Sequence, residues 1–144
     1  MIGQRDPRER DPAFLGYVAK LPCLACMVSG KVKWGVHVAH LRAASPEHDK
    51  RYTGKGEKPS DRWTLPLCPP HHVGDLTRVP FSQHEMGELD FWARLGIADP
   101  FQVCIDLYEA FQRRPRGSAS AGAGVAIISK AAALARRTLE GAQE

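Results

Sequence analysis

The chain has 144 residues, of which 43% are hydrophobic and 25% charged, with a formal net charge of +4. That is one domain's worth of sequence with the composition of an ordinary soluble globular protein. No apolar run approaches ~18 residues, so no membrane-spanning helix is expected.

The N-terminal MIGQRDPRERDP is polar and lacks an apolar h-region. No secretory signal is expected, and the default location is cytoplasmic. In that compartment the four cysteines are not expected to form structural disulfides, which leaves metal binding and redox chemistry. The charge is unevenly spread. Residues 27–67 carry eight basic and four acidic groups, residues 68–112 carry two and seven, and residues 113–144 carry six and two. Basic segments of this kind suit an acidic polymer such as nucleic acid, or simply a solvated surface.

In chain order, residues 1–12 read as a disordered basic arm with Arg5, Arg8 and Arg10. Phe14 to Leu21 is a short semi-apolar lead-in, and Pro22 breaks any helix there. Lys33 to Leu41 (KWGVHVAHL) reads as a strand or hairpin arm. Pro46 to Ser60 is a long polar loop. Arg62 to Cys68 forms a second short strand, which Pro66 confines to an edge. A helical turn starts near Pro69–Pro70. Gln83 to Leu95 reads as one helix with Leu89, Trp92 and Leu95 on one side. Asp99-Pro100 is an N-cap with proline at the first helical position, and Phe101, Cys104, Ile105 and Tyr108 mark the buried face that follows. Residues 115–124 are a flexible Gly/Ser/Ala linker. Residues 125–144 are an Ala-rich helical tail with a thin stripe of Ile128, Ala132, Ala135 and Leu139. That tail is a candidate for binding a protein partner or a second copy of the chain, and its removal is expected to leave the residue 13–114 domain folded.

The strongest chemical signal is Cys23-x2-Cys26 together with Cys68-x2-His71. Two such pairs supply the four soft or borderline ligands of a tetrahedral zinc site. A redox CxxC pair or unrelated buried thiols remain the alternatives at this stage. Cys104 falls on an apolar helical stripe and reads as a core thiol. His37, His40, His48, His72 and His84 are left over. Neutral imidazole is both a metal ligand and a base poised near neutral pH, so strand and helix histidines together can place a base beside a divalent ion.

The order CxxC, VHVAHLR, KPSDRWTLPLCPPHH, a further histidine and FWARLGIADP resembles the HNH endonucleases of the ββα-metal superfamily. It is most similar to small bacteriophage and prophage members related to recombination-enhancement nucleases. The resemblance covers about Leu21 to Phe111. It implies an α+β fold: a small ββα-metal core with zinc knuckles, followed by C-terminal helices. The implied activity is hydrolysis of DNA phosphodiesters to 5′-phosphate and 3′-hydroxyl ends. His40 would be the general base. Cys23, Cys26, Cys68 and His71 would hold structural Zn2+. His72, with His37 or His84, would hold a catalytic Mg2+ or Mn2+. Arg42 would approach the cleaved phosphate, and Lys50, Arg51, Lys55, Lys58 and Arg62 would grip flanking phosphates.

Two positions depart from the family pattern. Ala39 stands where many members carry a metal-binding Asp or His. If His37 replaces that ligand, positions 37 and 40 need a bulge or bend between them to reach one site. The family's middle asparagine has no clear counterpart, and Asp61 is the nearest polar residue. Two other classes of function remain: a non-catalytic zinc-knuckle module that binds nucleic acid, and a structural zinc protein that binds proteins through its tail.

Overall fold

A computed structural model describes residues 8–54, 57–74 and 82–141. The fold is mixed α+β, with helices gathered around one two-stranded antiparallel sheet. Strand β1 (His37–His40) pairs with β2 (Thr64–Leu67) in a regular register, His37 opposite Leu67 and His40 opposite Thr64. Every β2 side chain is buried. Pro66 is tolerated because each strand of so small a sheet is an edge.

Helix α1 (Pro12–Ala19) precedes the sheet, where only a lead-in was expected. Asp11 accepts a hydrogen bond from the Phe14 N–H and Pro12 occupies the first turn, the same Asp-Pro start that predicted the later helix. Its Phe14 and Tyr17 pack edge-on against Phe111, and Phe14 also meets Tyr108. The expected disordered arm is corrected over residues 8–12. Arg8 donates to the Pro59 carbonyl and to Asp61, the Asp61 N–H donates to the Glu9 carbonyl, and the Asp11 N–H donates to Asp61. Residues 1–7 lie outside the described residues.

After α1, Pro22 is followed within two residues by the short helix α2 (Leu24–Val28). Past β2 comes α3 (Pro69–His72), then α4 (Gln83–Met86) and α5 (Glu88–Arg94). The single helix expected over 83–95 is thus two, separated by Gly87 at φ 90°, a backbone conformation that favours glycine. This break turns Phe91 and Trp92 into the core and leaves Leu89 exposed, contrary to the expected stripe. Helix α6 (Pro100–Arg113) starts as predicted, with Asp99 accepting from the Gln102 N–H.

The largest correction concerns the C-terminal segment. Helix α7 (Gly122–Gly141) begins inside the expected linker and packs on α2 and α6. Ile128, Ala132 and Ala135 are fully buried against the body. Gly124 approaches so closely that a Cβ there would lie 2.8 Å from Leu21 Cδ2 and 2.9 Å from the Tyr17 hydroxyl. Arg136 adds a hydrogen bond to the Met27 carbonyl at the end of α2. The connection is tied down as well, by Lys20 donating to Ala119 O and Arg114 to Ser118 O. The apolar stripe is therefore consumed within the chain rather than left free for a partner. Among the described residues, no helix is long and apolar enough to cross a membrane.

Candidate metal centre and histidine cluster

Helix α3 organises the site. Pro69 and Pro70 preset φ for a helical turn directly after Cys68, so His71 and His72 sit on consecutive positions about 100° apart around the axis. One imidazole goes to each of two groups.

His71 goes to the cysteines. Cys23, Cys26, Cys68 and His71 bring one ligand atom each to within 4.8 Å of one another, with the three thiols buried. Four ligands around a tetrahedral zinc would stand about 3.8 Å apart for sulfur pairs and about 3.6 Å for sulfur–nitrogen pairs. The Cys26 and Cys68 sulfurs are 3.8 Å apart, and His71 Nδ1 lies 3.5 Å from Cys26 Sγ and 3.7 Å from Cys23 Sγ. The Cys68–His71 pair is tighter, at 3.2 Å. The group fits a metal such as zinc. Burial pushes the Cys23 and Cys26 thiols up, and the neighbouring sulfurs add to the rise at Cys26, so thiolate formation here calls for a compensating cation. Cys104 stands apart, fully buried in α6 as expected of a core thiol.

His72 goes to the other histidines. Its Nδ1 lies 3.1 Å from His37 Nδ1, and its ring meets His84 edge-on at 4.6 Å between centroids. Two nitrogens bound to one ion at ~2.1 Å and at right angles would be about 3.0 Å apart. Burial, followed by the charges of His84, His37 and His40, lowers the His72 pKa to about 4. The ring is therefore neutral at pH 7, with its lone pair available to a cation. His84 reaches the cluster from the first turn of α4, where Ser82 caps the helix by accepting from the Glu85 N–H. Residues 75–81 between α3 and α4 lie outside the described residues.

No bulge interrupts β1, which corrects the expectation of one. His37 shares a face with Ala39 by the two-residue period. It therefore rises from the side of the sheet on which a ligand at position 39 would stand. His40 faces the other way, and its Nε2 lies 3.0 Å from Asp61 Oδ1. The carboxylate only accepts, so Nε2 carries the proton and Nδ1 is the basic nitrogen. Asp61 is 2% exposed. Burial acts to raise its pKa, but hydrogen bonds from His40 and the Asp11 N–H, with the charge of Arg8, bring it below the usual carboxylate value.

The cationic residues separate into groups. Lys50 is corrected: it is 6% exposed, with Nζ donating to the Ala43 and Arg51 carbonyls, and is thus withdrawn from any external phosphate. Its ammonium lies near the Trp63 and Phe101 rings. Arg51 pairs with Glu57, and Arg62 lies over the Tyr108 ring with Glu9 at 3.5 Å. Both line, with Lys58 and Arg8, a cleft of about 630 Å³ that Glu9 and Asp49 also enter. Lys55 lies outside the described residues. Arg42 is exposed; its side chain donates to Gly54 O, while its backbone N–H donates to the Glu88 carboxylate. His48 is taken up by Asp99, at 2.8 Å.

Sequence reasoning missed two supports of this site. Gln83 is buried, donates to the His40 carbonyl and accepts from Trp92 Nε1. Glu88 closes the turn after β1 by accepting from the N–H groups of Arg42 and Ala43. Neither carries a local signal for this role, since the backbone groups that each one bonds around the end of β1 lie more than forty positions away. Compared with protein-family models, with curated proteins and with solved structures, the chain matches none of them.

Proposed function

We propose that this chain is a metal-dependent DNA endonuclease of the HNH type. The observations that carry the reading are the imidazoles of His37 and His84 gathered on His72 of α3, and His40 of β1 held by Asp61. The succession of β1, β2 and α3, with His71 in the Cys3His group, supports a ββα-metal core built on a structural zinc.

In this reading Cys23, Cys26, Cys68 and His71 hold the zinc, which fixes α2 against α3. His37, His72 and His84 hold the catalytic divalent ion. When bound, that ion stabilises the negative charge that builds on a phosphate under attack. His40 Nδ1 takes a proton from water as the water oxygen bonds to phosphorus, and the bond to the 3′ oxygen breaks. Asp61 holds His40 in the tautomer that leaves Nδ1 basic and stabilises the imidazolium that forms. Arg51, Lys58, Arg62 and Arg8 hold flanking phosphates along their cleft, a sequence-independent contact.

The donors seen in the cluster are imidazole nitrogens, which suit Ni2+ or Zn2+ better than the oxygen-preferring Mg2+ or Mn2+. Plasmid nicking should therefore be measured with all four ions. We expect nicking with at least one of them and its loss in His72→Ala. Nicking that needs no divalent ion, or that survives His72→Ala, would remove the cluster as the metal site.

A further inference from the structure

Residues 29–36 lead from the Cys3His group to β1 and contain the run Lys31-Val32-Lys33-Trp34. All four residues are exposed, Val32 to 62% and Trp34 to 57%. The other two tryptophans behave differently: Trp92 is fully buried and Trp63 packs against the core. Large apolar side chains side by side in water, flanked by two cations, call for an explanation that packing within the chain does not supply.

The run is also held in place. The Cys23 N–H donates to the Lys33 carbonyl at 2.9 Å, and the Lys31 N–H donates to the Cys26 carbonyl at 2.9 Å. Both cysteines belong to the metal-ligating group, so the loop hangs on the most constrained part of the fold. Lys31 and Lys33 line a hollow of about 240 Å³ beside Pro70 and His71. A loop whose backbone is anchored in this way gives up less freedom on binding than an untethered one.

We propose that this loop is a contact surface for single-stranded DNA, with Trp34 stacking on an unpaired base and Lys31 and Lys33 taking the phosphates beside it. An exposed indole gains stacking energy only from a base whose face is open, which duplex DNA does not offer. The two lysines supply the charge complementarity that a polynucleotide backbone requires. Trp34 lies three residues before His37, so their Cα atoms are at most about 11 Å apart. One strand can therefore touch Trp34 and the histidine cluster together. The inference rests on the reading of the chain as a DNA-acting protein and names the form of DNA that it takes: a substrate with an unpaired stretch.

The test is fluorescence anisotropy with the full, zinc-loaded chain and labelled oligothymidylate of about 15 nucleotides, within the usual site size. Zinc is limited to one ion per chain, enough for the Cys3His group alone, and no other divalent ion is added, so that cleavage does not confound binding. Trp34→Ala should weaken single-strand binding about tenfold or more, and Trp34→Phe should retain most of it. A duplex of equal length should change less than twofold. Replacing Lys31 and Lys33 by Gln should lower the slope of log affinity against log salt by about 1.4. Unchanged single-strand affinity in Trp34→Ala, an equal loss on duplex, or no binding to the oligonucleotide by the wild type would each overturn the inference. Nicking by a Trp34→Ala protein with unaltered DNA binding would sink this inference and leave the nuclease reading intact. A Trp34 effect on binding in a protein that never cleaves DNA would do the reverse.

Discussion

Asp61 makes three contacts from a buried position, accepting from Arg8, from the Asp11 N–H and from His40. Its exchange for Asn keeps the shape but offers His40 an amide that also donates, so the tautomer with basic Nδ1 loses its preference. Asp61→Asn should fold and should lose about 100-fold or more in cleavage rate; activity within a factor of two or three of wild type would show that the pair is structural only. His72 makes a second prediction. Its pKa of about 4 lies below the ordinary 6.5, so between those values the unfolded chain binds a proton there that the folded chain does not. Stability should be full above pH 6.5 and decline as pH falls toward 4, a slope that His72→Gln should flatten in a pH series of melting temperatures. Much of this site was legible in residue types. The Cys and His spacings picked out both groups, and Asp61 was the nearest polar residue to its position. Lys50 was misplaced because a lysine in a polar run gives no sign that its ammonium will find backbone carbonyls indoors.

At the level of elements, local chemistry predicted starts better than it predicted docking. Asp99-Pro100 announced α6, and the same pair at Asp11-Pro12 announces α1 just as clearly. Ser82 and Glu85 likewise mark the start of α4 by the spacing of a capping box. What the sequence leaves open is where an amphipathic helix spends its apolar face. The Ile128, Ala132 and Ala135 stripe is narrow, and nothing within α7 tells whether α2 and α6 or another molecule will cover it. The structure answers with α2 and α6, so Ile128→Ala should cost about 2–5 kcal/mol and removal of residues 116–144 should collapse the thermal transition. A truncated chain that melts like the full one would mean that α7 contributes nothing to the fold.

For the molecule as a whole, the Cys3His group joins α2, near the N-terminus, to the turn that carries His72, and α7 clamps α2 from outside. A metal held by this group would therefore couple stability to the site. Structural zinc contributes ~10–16 kcal/mol in small zinc domains, so a strong chelator should lower the melting temperature sharply. Cys68→Ser should reduce bound zinc below one per chain. Full zinc content in that variant, or a melt indifferent to chelation, would contradict the assignment. The resemblance in the sequence named His40, His72 and His84 together; in the structure His84 and His37 meet His72, and His40 meets Asp61. The strand stays regular, so His37 meets His72 on one face while His40 meets Asp61 from the other, and the bulge that would carry both to one face is absent.

The most direct test is the nicking of supercoiled plasmid by the wild-type chain and by His40→Ala, each checked for equal zinc content and equal melting temperature. The account predicts divalent-ion-dependent nicking by the wild type, ends bearing 5′-phosphate, and a loss of about 100-fold or more in the variant. Equal cleavage by both proteins would contradict the role of His40. No cleavage by the wild type with any of the four ions, on intact plasmid or on DNA with an unpaired stretch, would contradict the nuclease itself.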